Sequence, residues 1–343
     1  MSSKLPLSTG VPQGSILGPL MFIIYMNDIY KVSDKFHSIL YADDTTLESP
    51  LCTFDTSALN HKYNVDMLSS NINFELSLIY EWLCLNKLSL NVKKTKFMLF
   101  HNRQRKMENI TPTLSINGNE IERVTDFNFL GLTIDQHMSW NSHINKVSVK
   151  ITKTLGILSR LKRFLPQDIL LKIYNSLIMP YIQYGILCWG HKSGRILTLQ
   201  KRAMRLITNS KYNAHTEPIY KRLKCLNIPD IYTLNILKLY YKIENDKVPH
   251  YFKNMFTQTN PTHAHETRFR HLNTLQTART TSGSYCIRYV LPTTIKNIPL
   301  CIKEKIMTHS LQGFSNYIKQ FYIKNYENEC KTKNCYICGH MRE

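Results

Sequence analysis

Two adjacent carboxylates, Asp43 and Asp44, are the side chains of this sequence best suited to metal chemistry. They follow Tyr41 and lie between residues 36–41 and 45–47, two stretches rich in apolar and β-branched residues that predict a β-hairpin. A carboxylate pair at a hairpin tip suits Mg²⁺, a hard cation that takes few protein oxygens and completes its octahedron with water and substrate phosphates. On these residues alone, a simple turn cap remains an alternative.

A second unusual segment precedes the pair and reads Gly-Val-Pro-Gln-Gly-Ser-Ile-Leu-Gly-Pro over residues 10–19. Gln13 and Gly14 come just before a predicted helix over residues 16–30, which Ser15 can cap. A glycine lets the backbone approach a ligand closely, and a helix start offers free amide groups to phosphate. A plain turn leading into a buried helix uses the same residues, so that alternative stays open.

Together and in this order, the two segments resemble the second half of the palm of a reverse transcriptase, in particular one from a non-LTR, LINE-type, jockey-like retrotransposon. The resemblance implies an α+β fold: a partial polymerase palm, made of a helix and antiparallel hairpins, followed by an α-helical thumb and C-terminal region. It implies RNA-templated DNA synthesis from deoxynucleoside triphosphates, with Mg²⁺ or alternatively Mn²⁺ held by Asp43 and Asp44. Gln13, Gly14 and Tyr41 are the implied nucleotide-binding residues.

Two further segments resemble parts of the same family. Residues 90–96 are similar to its lysine-bearing stretch, so Lys94 is the expected catalytic cation facing the departing pyrophosphate. Three lysines within four positions can equally form a solvated edge. Phe129, Leu130 and Gly131 resemble the hairpin that grips the primer end, whose role is to position the primer hydroxyl.

The resemblance also implies a third metal-binding Asp, on a strand upstream of the glycine-rich segment. Residues 1–9 contain neither Asp nor Glu. We therefore expect a remnant or truncated polymerase with little activity as an isolated chain, and an unpaired strand edge in its palm. The alternative is a non-catalytic nucleic-acid-binding module that uses basic helices, and a third hypothesis is a protein-interaction remnant.

The positive charge of the sequence is concentrated in its C-terminal part. The chain of 343 residues carries a formal charge of +20, yet residues 1–134 hold 12 Lys and Arg against 13 Asp and Glu, whereas residues 135–343 hold 32 against 11. This excess predicts a polyanionic partner, here the RNA and DNA of a template–primer duplex, although an anionic membrane surface or plain solubility is an alternative. The expected nucleic-acid-binding residues, which can also be a solvated helix face, are Lys146, Lys150, Lys153, Arg160, Lys162, Arg163, Lys201, Arg202 and Arg205.

The pattern along the chain predicts four regions. Residues 1–134 are the expected palm region, with a long amphipathic helix over 59–85, a strand over 96–100 and a hairpin turn at Asn117-Gly118. Residues 135–256 are the expected helical thumb or connection region, punctuated by prolines. Residues 257–284 form a polar linker, and residues 285–343 a small C-terminal unit with a Cys-rich tail.

Cysteine usage favours a reducing, intracellular location, in the nucleus or the cytoplasm. The nine cysteines are odd in number and mostly scattered, no signal peptide opens the chain, and the apolar run over residues 17–26 is too short to span a membrane.

Four tail residues have zinc-ligand chemistry but a spacing that fits no known finger, so zinc is the less favoured interpretation: Cys330, Cys335, Cys338 and His340. Three histidines in the polar segment are expected to face solvent or phosphate rather than metal: His263, His265 and His271.

Overall fold

The computed structural model describes residues 14–49, 62–103, 112–250 and 283–327, together with residues 252 and 278. The chain divides into two compact units, with the division between Thr125 and Asp126. Several residues singled out from the sequence lie outside the described residues: Gln13, His263, His265, His271, Cys330, Cys335, Cys338 and His340. Among the described helices, none is both long enough and apolar enough to cross a membrane.

The first unit combines two helices with six short strands. The helices are α1 (Leu17–Met26) and α2 (Lys62–Leu85), and single 3-10 turns cover Ile29–Lys31 and Val92–Lys94. The strands are β1 (His37–Tyr41), β2 (Asp44–Glu48), β3 (Lys96–Phe97), β4 (Ser115–Ile116), β5 (Asn119–Glu120) and β6 (Glu122–Arg123).

Helix α2 organises the core of this unit, as its apolar spacing predicts. Leu68, Leu76 and Ile79 are buried along one side of the helix. Leu76 packs with the β4–β5 region, and Ile79 packs with α1 and with the 3-10 turn after it. Asn73, on the same helix, donates to the Thr113 carbonyl and accepts from the Ser115 amide, at 3.2 and 2.9 Å. The helix therefore substitutes for a strand partner at the start of β4.

The described strands of the first unit form pairs only. β1 pairs with β2 and β4 with β5, both antiparallel, while β3 pairs with β6 in parallel. The predicted Asn-Gly turn joins β4 to β5, with φ of 49° at Asn117 and 72° at Gly118. Within the described part of the chain, the outer edges of β1 and β2 carry no further strand, and an isolated two-stranded pair is only marginally stable.

Two predicted elements of this unit are shorter than the sequence pattern suggested. The helix expected over residues 16–30 ends at Met26, because Asn27 and Asp28 favour turns over helix interiors. The strand expected over residues 96–100 is limited to two residues, since its parallel partner β6 is itself only two residues long. The first correction follows from local turn preference, whereas the second reflects tertiary pairing that local pattern does not contain.

The second unit consists of one hairpin and ten helices among its described residues. The hairpin strands are β7 (Asp126–Phe129) and β8 (Leu132–Asp135). The helices are α3 (Asn141–Leu161), α4 (Gln167–Leu177), α5 (Met179–Gln183), α6 (Ile186–Trp189), α7 (Gly194–Ile207), α8 (Glu217–Leu223), α9 (Ile228–Glu244), α10 (Ile287–Asn297), α11 (Leu300–Thr308) and α12 (Leu311–Asn325).

Prolines mark the starts of these helices, as the sequence predicted. Pro166 precedes α4, and Pro180, Pro218 and Pro229 occupy first-turn positions of α5, α8 and α9, where a missing amide hydrogen costs nothing. Side-chain caps add to this at α9, where Asn227 accepts from the Asp230 amide at 2.9 Å.

A single apolar core joins all of these helices. It extends from Ile144 and Ile151 on α3 through Trp189 to Phe314 on α12. Residues 285–343 are expected from sequence to form a small unit of their own, and the described helices of this range contribute Leu291, Phe314 and other side chains to this same core. The hairpin β7–β8 also belongs to this unit.

Candidate functional site

The Asp pair lies at the tip of the first hairpin. Tyr41 pairs with Asp44, which leaves Ala42 and Asp43 as a two-residue turn. Ala42 adopts φ of 52°, the left-handed conformation that such turns require at their first position and that is costly for a residue with a Cβ. The backbone therefore presents Asp43 and Asp44 together at the end of the hairpin.

Asp43 and Asp44 are exposed, and so is Tyr41, with 64% of its surface accessible. Their two carboxylates supply the hard oxygen donors that Mg²⁺ prefers. Within the described residues, no third His, Cys, Asp or Glu joins them in a group able to hold a metal ion. The pair thus fits a divalent cation in chemistry, while leaving most of the coordination sphere to water, substrate or further protein groups.

A buried carboxylate on α2 fixes the segment that leads into this hairpin. Glu75 accepts a hydrogen bond of 2.6 Å from the Ser33 hydroxyl and an ion-pair contact of 2.8 Å from the Lys35 ammonium. Hydrogen bonds from Lys35 and then from Ser33 hold the pKa of Glu75 below its ordinary value. Sequence reasoning missed Glu75, because a single Glu on an amphipathic helix carries no signal of a distant partner.

The glycine-rich segment is described from Gly14 onward. Gly14 has φ of 87°, which favours glycine, and open space where a Cβ would stand. Ser15 caps α1 as expected, since its hydroxyl accepts from the Gly18 amide at 3.1 Å. The segment has the turn and helix start that close approach of a phosphate requires.

Helix α1 is apolar on all sides, yet most of its side chains are exposed. Leu17, Leu20, Ile23 and Ile24 each have more than half of their surface accessible, and Ile16 just before the helix is 96% exposed. Soluble domains rarely expose contiguous apolar patches of this kind, and such patches usually mark contact with another protein segment.

The three lysines of residues 93–96 separate into two groups. Lys96 forms an ion pair with Glu122 across the β3–β6 pair. Lys93 and Lys94 are exposed on a 3-10 turn that Asn91 caps, and neither has an ion pair among the described residues. Lys94 is therefore available to an anion.

The second hairpin presents a sharp tip in the second unit. Phe129 pairs with Leu132, so Leu130 and Gly131 form a two-residue turn, with φ of 45° and 82°. The Leu130 carbonyl accepts a hydrogen bond from the Tyr184 hydroxyl. The tip is thus held by a side chain from outside the hairpin.

A second residue missed by sequence reasoning anchors the base of this hairpin. The Asp135 carboxylate accepts from the backbone amides of His137, Ser139 and Trp140 at 2.9 to 3.1 Å, and from the Ser139 hydroxyl at 3.0 Å. Burial acts to raise the pKa of Asp135, but these hydrogen bonds hold it below its ordinary value. An Asp shortly before a helix start is a capping signal that could have identified it.

The basic residues expected to bind nucleic acid do not form one uniform set. On α3, Lys146, Lys150, Lys153 and Arg160 are exposed along one side of the helix, opposite the buried Ile144 and Ile151. Their local partners and those of the other expected residues differ. Lys146 lies 4.0 Å from Asp126, and Lys150 lies over the Tyr181 ring. Lys162 donates a hydrogen bond to Asn209, and Arg205 donates one to the Ala214 carbonyl. Arg163 and Arg202 are exposed, whereas Lys201 is half-buried.

Comparison with known proteins decides the family of the first region. Residues 1–134 match the protein family described as "Reverse transcriptase (RNA-dependent DNA polymerase)". Residues 1–134 belong to the reverse transcriptase family. The Asp hairpin and the described part of the glycine-rich segment both lie within this reverse transcriptase region, as the resemblance predicted.

Curated relatives extend the similarity beyond the reverse transcriptase region. The chain is 24% identical over 236 residues to the RNA-directed DNA polymerase from mobile element jockey of Drosophila melanogaster. It is 25% identical over 243 residues to the probable RNA-directed DNA polymerase from transposon X-element, and 24% over 231 residues to that from transposon BS, both of the same organism. These alignments cover 63 to 67% of this chain.

The aligned part of the chain spans about a quarter of the length of these relatives, from 24 to 25%. No solved structure matches the chain.

Proposed function

We propose that this chain is part of a retrotransposon RNA-directed DNA polymerase, to which it contributes Asp43 and Asp44 as metal-binding carboxylates for nucleotidyl transfer. The observation that carries the proposal is the exposed Asp pair at the tip of a hairpin inside the reverse transcriptase region. The Glu75 contacts with Ser33 and Lys35 support it, because a metal site needs its ligands held in a fixed position.

In this proposal a pair of divalent ions, Mg²⁺ or Mn²⁺, supplies activation of the primer hydroxyl and stabilisation of the leaving pyrophosphate. Asp43 is the main ligand and Asp44 the auxiliary one. Lys94 meets the negative charge of the pyrophosphate, since its ammonium is exposed and has no ion pair in the described part of the chain.

The remaining residues bind and orient the substrates. Gln13, Gly14 and Tyr41 contact the incoming nucleotide, and Phe129, Leu130 and Gly131 hold the primer end. The basic side chains of α3 bind the phosphates of the template–primer duplex, without reading its sequence.

We further propose that a polypeptide of these 343 residues extends primers poorly by itself. The described residues offer Asp43 and Asp44 no third acidic neighbour, and the exposed apolar surface of α1 is of the kind that another protein segment covers. Both observations fit a catalytic centre that needs further protein groups.

Primer extension on an RNA template in Mg²⁺, with binding to the same template–primer duplex measured in parallel, tests the proposal. The variants are Asp43→Asn and Asp44→Asn, and the matched control is Asp34→Asn, which removes an exposed carboxylate of the same unit. We expect binding with little extension. The chain could instead extend primers, with the extension abolished by Asp43→Asn and unaffected by Asp34→Asn. That result would support the polymerase function and refute the expected inactivity. Absence of both binding and extension would refute the whole proposal.

A non-catalytic nucleic-acid-binding module is the second candidate function. It is favoured by the excess of 32 Lys and Arg over 11 Asp and Glu in residues 135–343 and by the exposed basic side of α3. Duplex binding that survives simultaneous replacement of Asp43 and Asp44 by Asn, in a chain with no extension activity, would favour this candidate.

A further inference from the structure

The tip of the β7–β8 hairpin is held by one phenol group. The Tyr184 hydroxyl donates to the Leu130 carbonyl, and its ring lies over Gly131, with the Tyr184 Cε1 atom 3.3 Å from where a Cβ on Gly131 would stand. Leu130 has φ of 45°, a conformation that is unfavourable for a residue with a side chain. A conformation of this kind persists only where surrounding groups fix it, and the Tyr184 hydroxyl is such a group.

The backbone of Tyr184 is in turn fixed from the core. Its carbonyl accepts from the Trp189 indole at 2.9 Å, and its amide donates to the Pro180 carbonyl at 3.0 Å. Trp189 is fully buried. Gly185 allows the close approach of the hairpin, because a Cβ at this position would lie 2.6 Å from a Leu132 methyl group.

Strand β8 itself is connected to the same tryptophan, close to the tip. The Thr133 amide donates to the His143 Nδ1 atom at 3.2 Å, and the His143 ring packs 5.7 Å from the Trp189 ring. His143 is buried, and burial followed by the charges of Lys150 and Lys146 lowers its pKa, which favours the neutral ring that can accept this hydrogen bond. The hairpin is thus fixed at its turn and again at Thr133 by two residues that contact Trp189, namely Tyr184 and His143.

We propose that Tyr184 is a positioning residue for the primer end: its hydroxyl sets the conformation of the Leu130-Gly131 tip, and Trp189 sets the position of Tyr184. The inference rests on the proposed function, in which this tip holds the primer terminus. The arrangement couples a partly exposed tip to a fully buried side chain through two hydrogen bonds, from Trp189 to Tyr184 and from Tyr184 to Leu130.

A conservative variant can separate positioning from folding. Tyr184 is 55% exposed, so Tyr184→Phe removes one hydrogen bond without opening the core. The matched control is Tyr181→Phe on α5, because the Tyr181 ring contacts Lys150 at 5.2 Å and a phenylalanine ring retains that contact. Both substitutions remove one partly exposed hydroxyl.

The experiment compares the affinity of the full chain for two template–primer duplexes of the same sequence. One has a recessed primer 3′ end, and the other is closed by a loop so that no terminus exists. We expect the wild-type chain to bind the duplex with the recessed end about fivefold more tightly than the closed duplex. A fivefold ratio of affinities corresponds to about 1 kcal/mol, the ordinary net strength of one hydrogen bond. Tyr184→Phe should lose this preference while binding the closed duplex as well as before, and Tyr181→Phe should keep it.

Amide hydrogen exchange gives a second readout, since the amides of residues 130–132 should exchange faster in Tyr184→Phe than in the control. Retention of the terminus preference by Tyr184→Phe would overturn this inference alone. An equal loss of affinity for both duplexes would also overturn it, because it indicates a general structural role. A wild-type chain that binds neither duplex would instead overturn the proposed function, and the inference with it.

Discussion

The Glu75 carboxylate of α2 accepts a hydrogen bond of 2.6 Å from the hydroxyl of Ser33, which precedes the strand leading to the Asp pair. Lys35 reaches the other carboxylate oxygen at 2.8 Å. Glu75 is only 7% exposed, so the long helix and the segment leading into the Asp hairpin are joined by a buried polar contact as well as by apolar packing. This relationship makes the position of the hairpin sensitive to a residue that is buried on another element.

Glu75→Gln should destabilise the first unit by about 1–3 kcal/mol, because a neutral amide accepts weaker hydrogen bonds and leaves the Lys35 charge unpaired. Urea denaturation measures this change. The control is Glu81→Gln, since Glu81 is exposed on the same helix. Equal stability of the two variants would mean that the Glu75 contacts contribute nothing to folding.

The contribution of Glu75 should also depend on pH in a defined direction. Its pKa in the folded chain is below the ordinary value of 4.5, so the ionised carboxylate stabilises the fold fully above about pH 4.5. This stabilisation decreases as the pH falls from 4.5 through the lower folded pKa. The stability difference between wild type and Glu75→Gln should therefore shrink over that acidic range.

The sequence predicted those parts of the fold that depend on local pattern. The apolar spacing of α2, the Asn117-Gly118 turn and the helix starts at prolines all follow from propensities of neighbouring residues. The Asp hairpin was also predictable, because two stretches of β-branched and apolar residues flank Asp43 and Asp44.

Long-range polar contacts were not predictable in the same way. Glu75, Asn73 and Gln200 occur on helices at positions that a local pattern cannot distinguish from solvated ones. Their partners are far away in sequence: Ser33 for Glu75 and Thr113 for Asn73. The partners of such residues are known only once packing places two elements together. For the same reason, the contact of Tyr184 with the Leu130-Gly131 tip was not predicted from the sequence.

Gln200 is a fully buried amide at the centre of the helical unit. Its Nε2 donates to the Tyr174 hydroxyl at 2.9 Å and to the Leu226 carbonyl at 3.0 Å. Its Oε1 accepts from the Tyr220 hydroxyl and from the Ile228 amide, both at 3.0 Å. All four hydrogen bonds of the amide are therefore made inside the protein.

Gln200→Glu should destabilise the second unit by about 3 kcal/mol or more at neutral pH, because a carboxylate cannot donate the two Nε2 hydrogen bonds and carries an uncompensated charge. Burial should raise the pKa of the new carboxyl group. The variant should thus lose stability relative to wild type as the pH rises from about 4.3, the unfolded value for Glu, through that raised pKa.

Thermal and urea unfolding at several pH values test this expectation, with Gln183→Glu as the exposed control. If Gln200→Glu and Gln183→Glu had the same pH dependence, the buried network around Gln200 would not determine stability.

Tyr326 joins the C-terminal helical segment to the start of α9. Its hydroxyl accepts from the Asn227 amide at 3.1 Å and donates to the Asp230 carboxylate, while its carbonyl accepts from Lys221 at 2.7 Å. Burial raises the pKa of Asp230, and the hydrogen bonds from Tyr326 and Asn227 act against that rise. The phenol thus compensates a partly buried carboxylate.

Tyr326→Phe should cost about 1–3 kcal/mol of unfolding free energy, since the Asp230 carboxylate loses the hydrogen bond from Tyr326 and the Asn227 backbone amide loses its acceptor. The loss should be smaller at a pH where Asp230 is protonated. Tyr212→Phe, at a position that is 89% exposed, removes the same hydroxyl and should leave stability unchanged. A neutral result for Tyr326→Phe in chemical denaturation would contradict the assignment.

The basic side of α3 makes a prediction about salt that separates phosphate contact from simple solvation. Lys153 and Arg160 are exposed and have no ion pair among the described residues, whereas Lys146 lies 4.0 Å from Asp126. Replacing Lys153 and Arg160 together by Gln should weaken duplex binding. It should also reduce the slope of log Kobs against log salt by about 0.9 for each phosphate that the variant no longer neutralises.

The matched control replaces Lys296 and Lys319, which are exposed on α10 and α12, by Gln and so removes the same charge from the same unit. Because counterion release depends on where the charges contact the duplex, only the α3 variant should change the slope. Identical slopes for the two variants would show that net charge alone drives binding, and α3 would then be an ordinary solvated helix face rather than the surface that follows the phosphates.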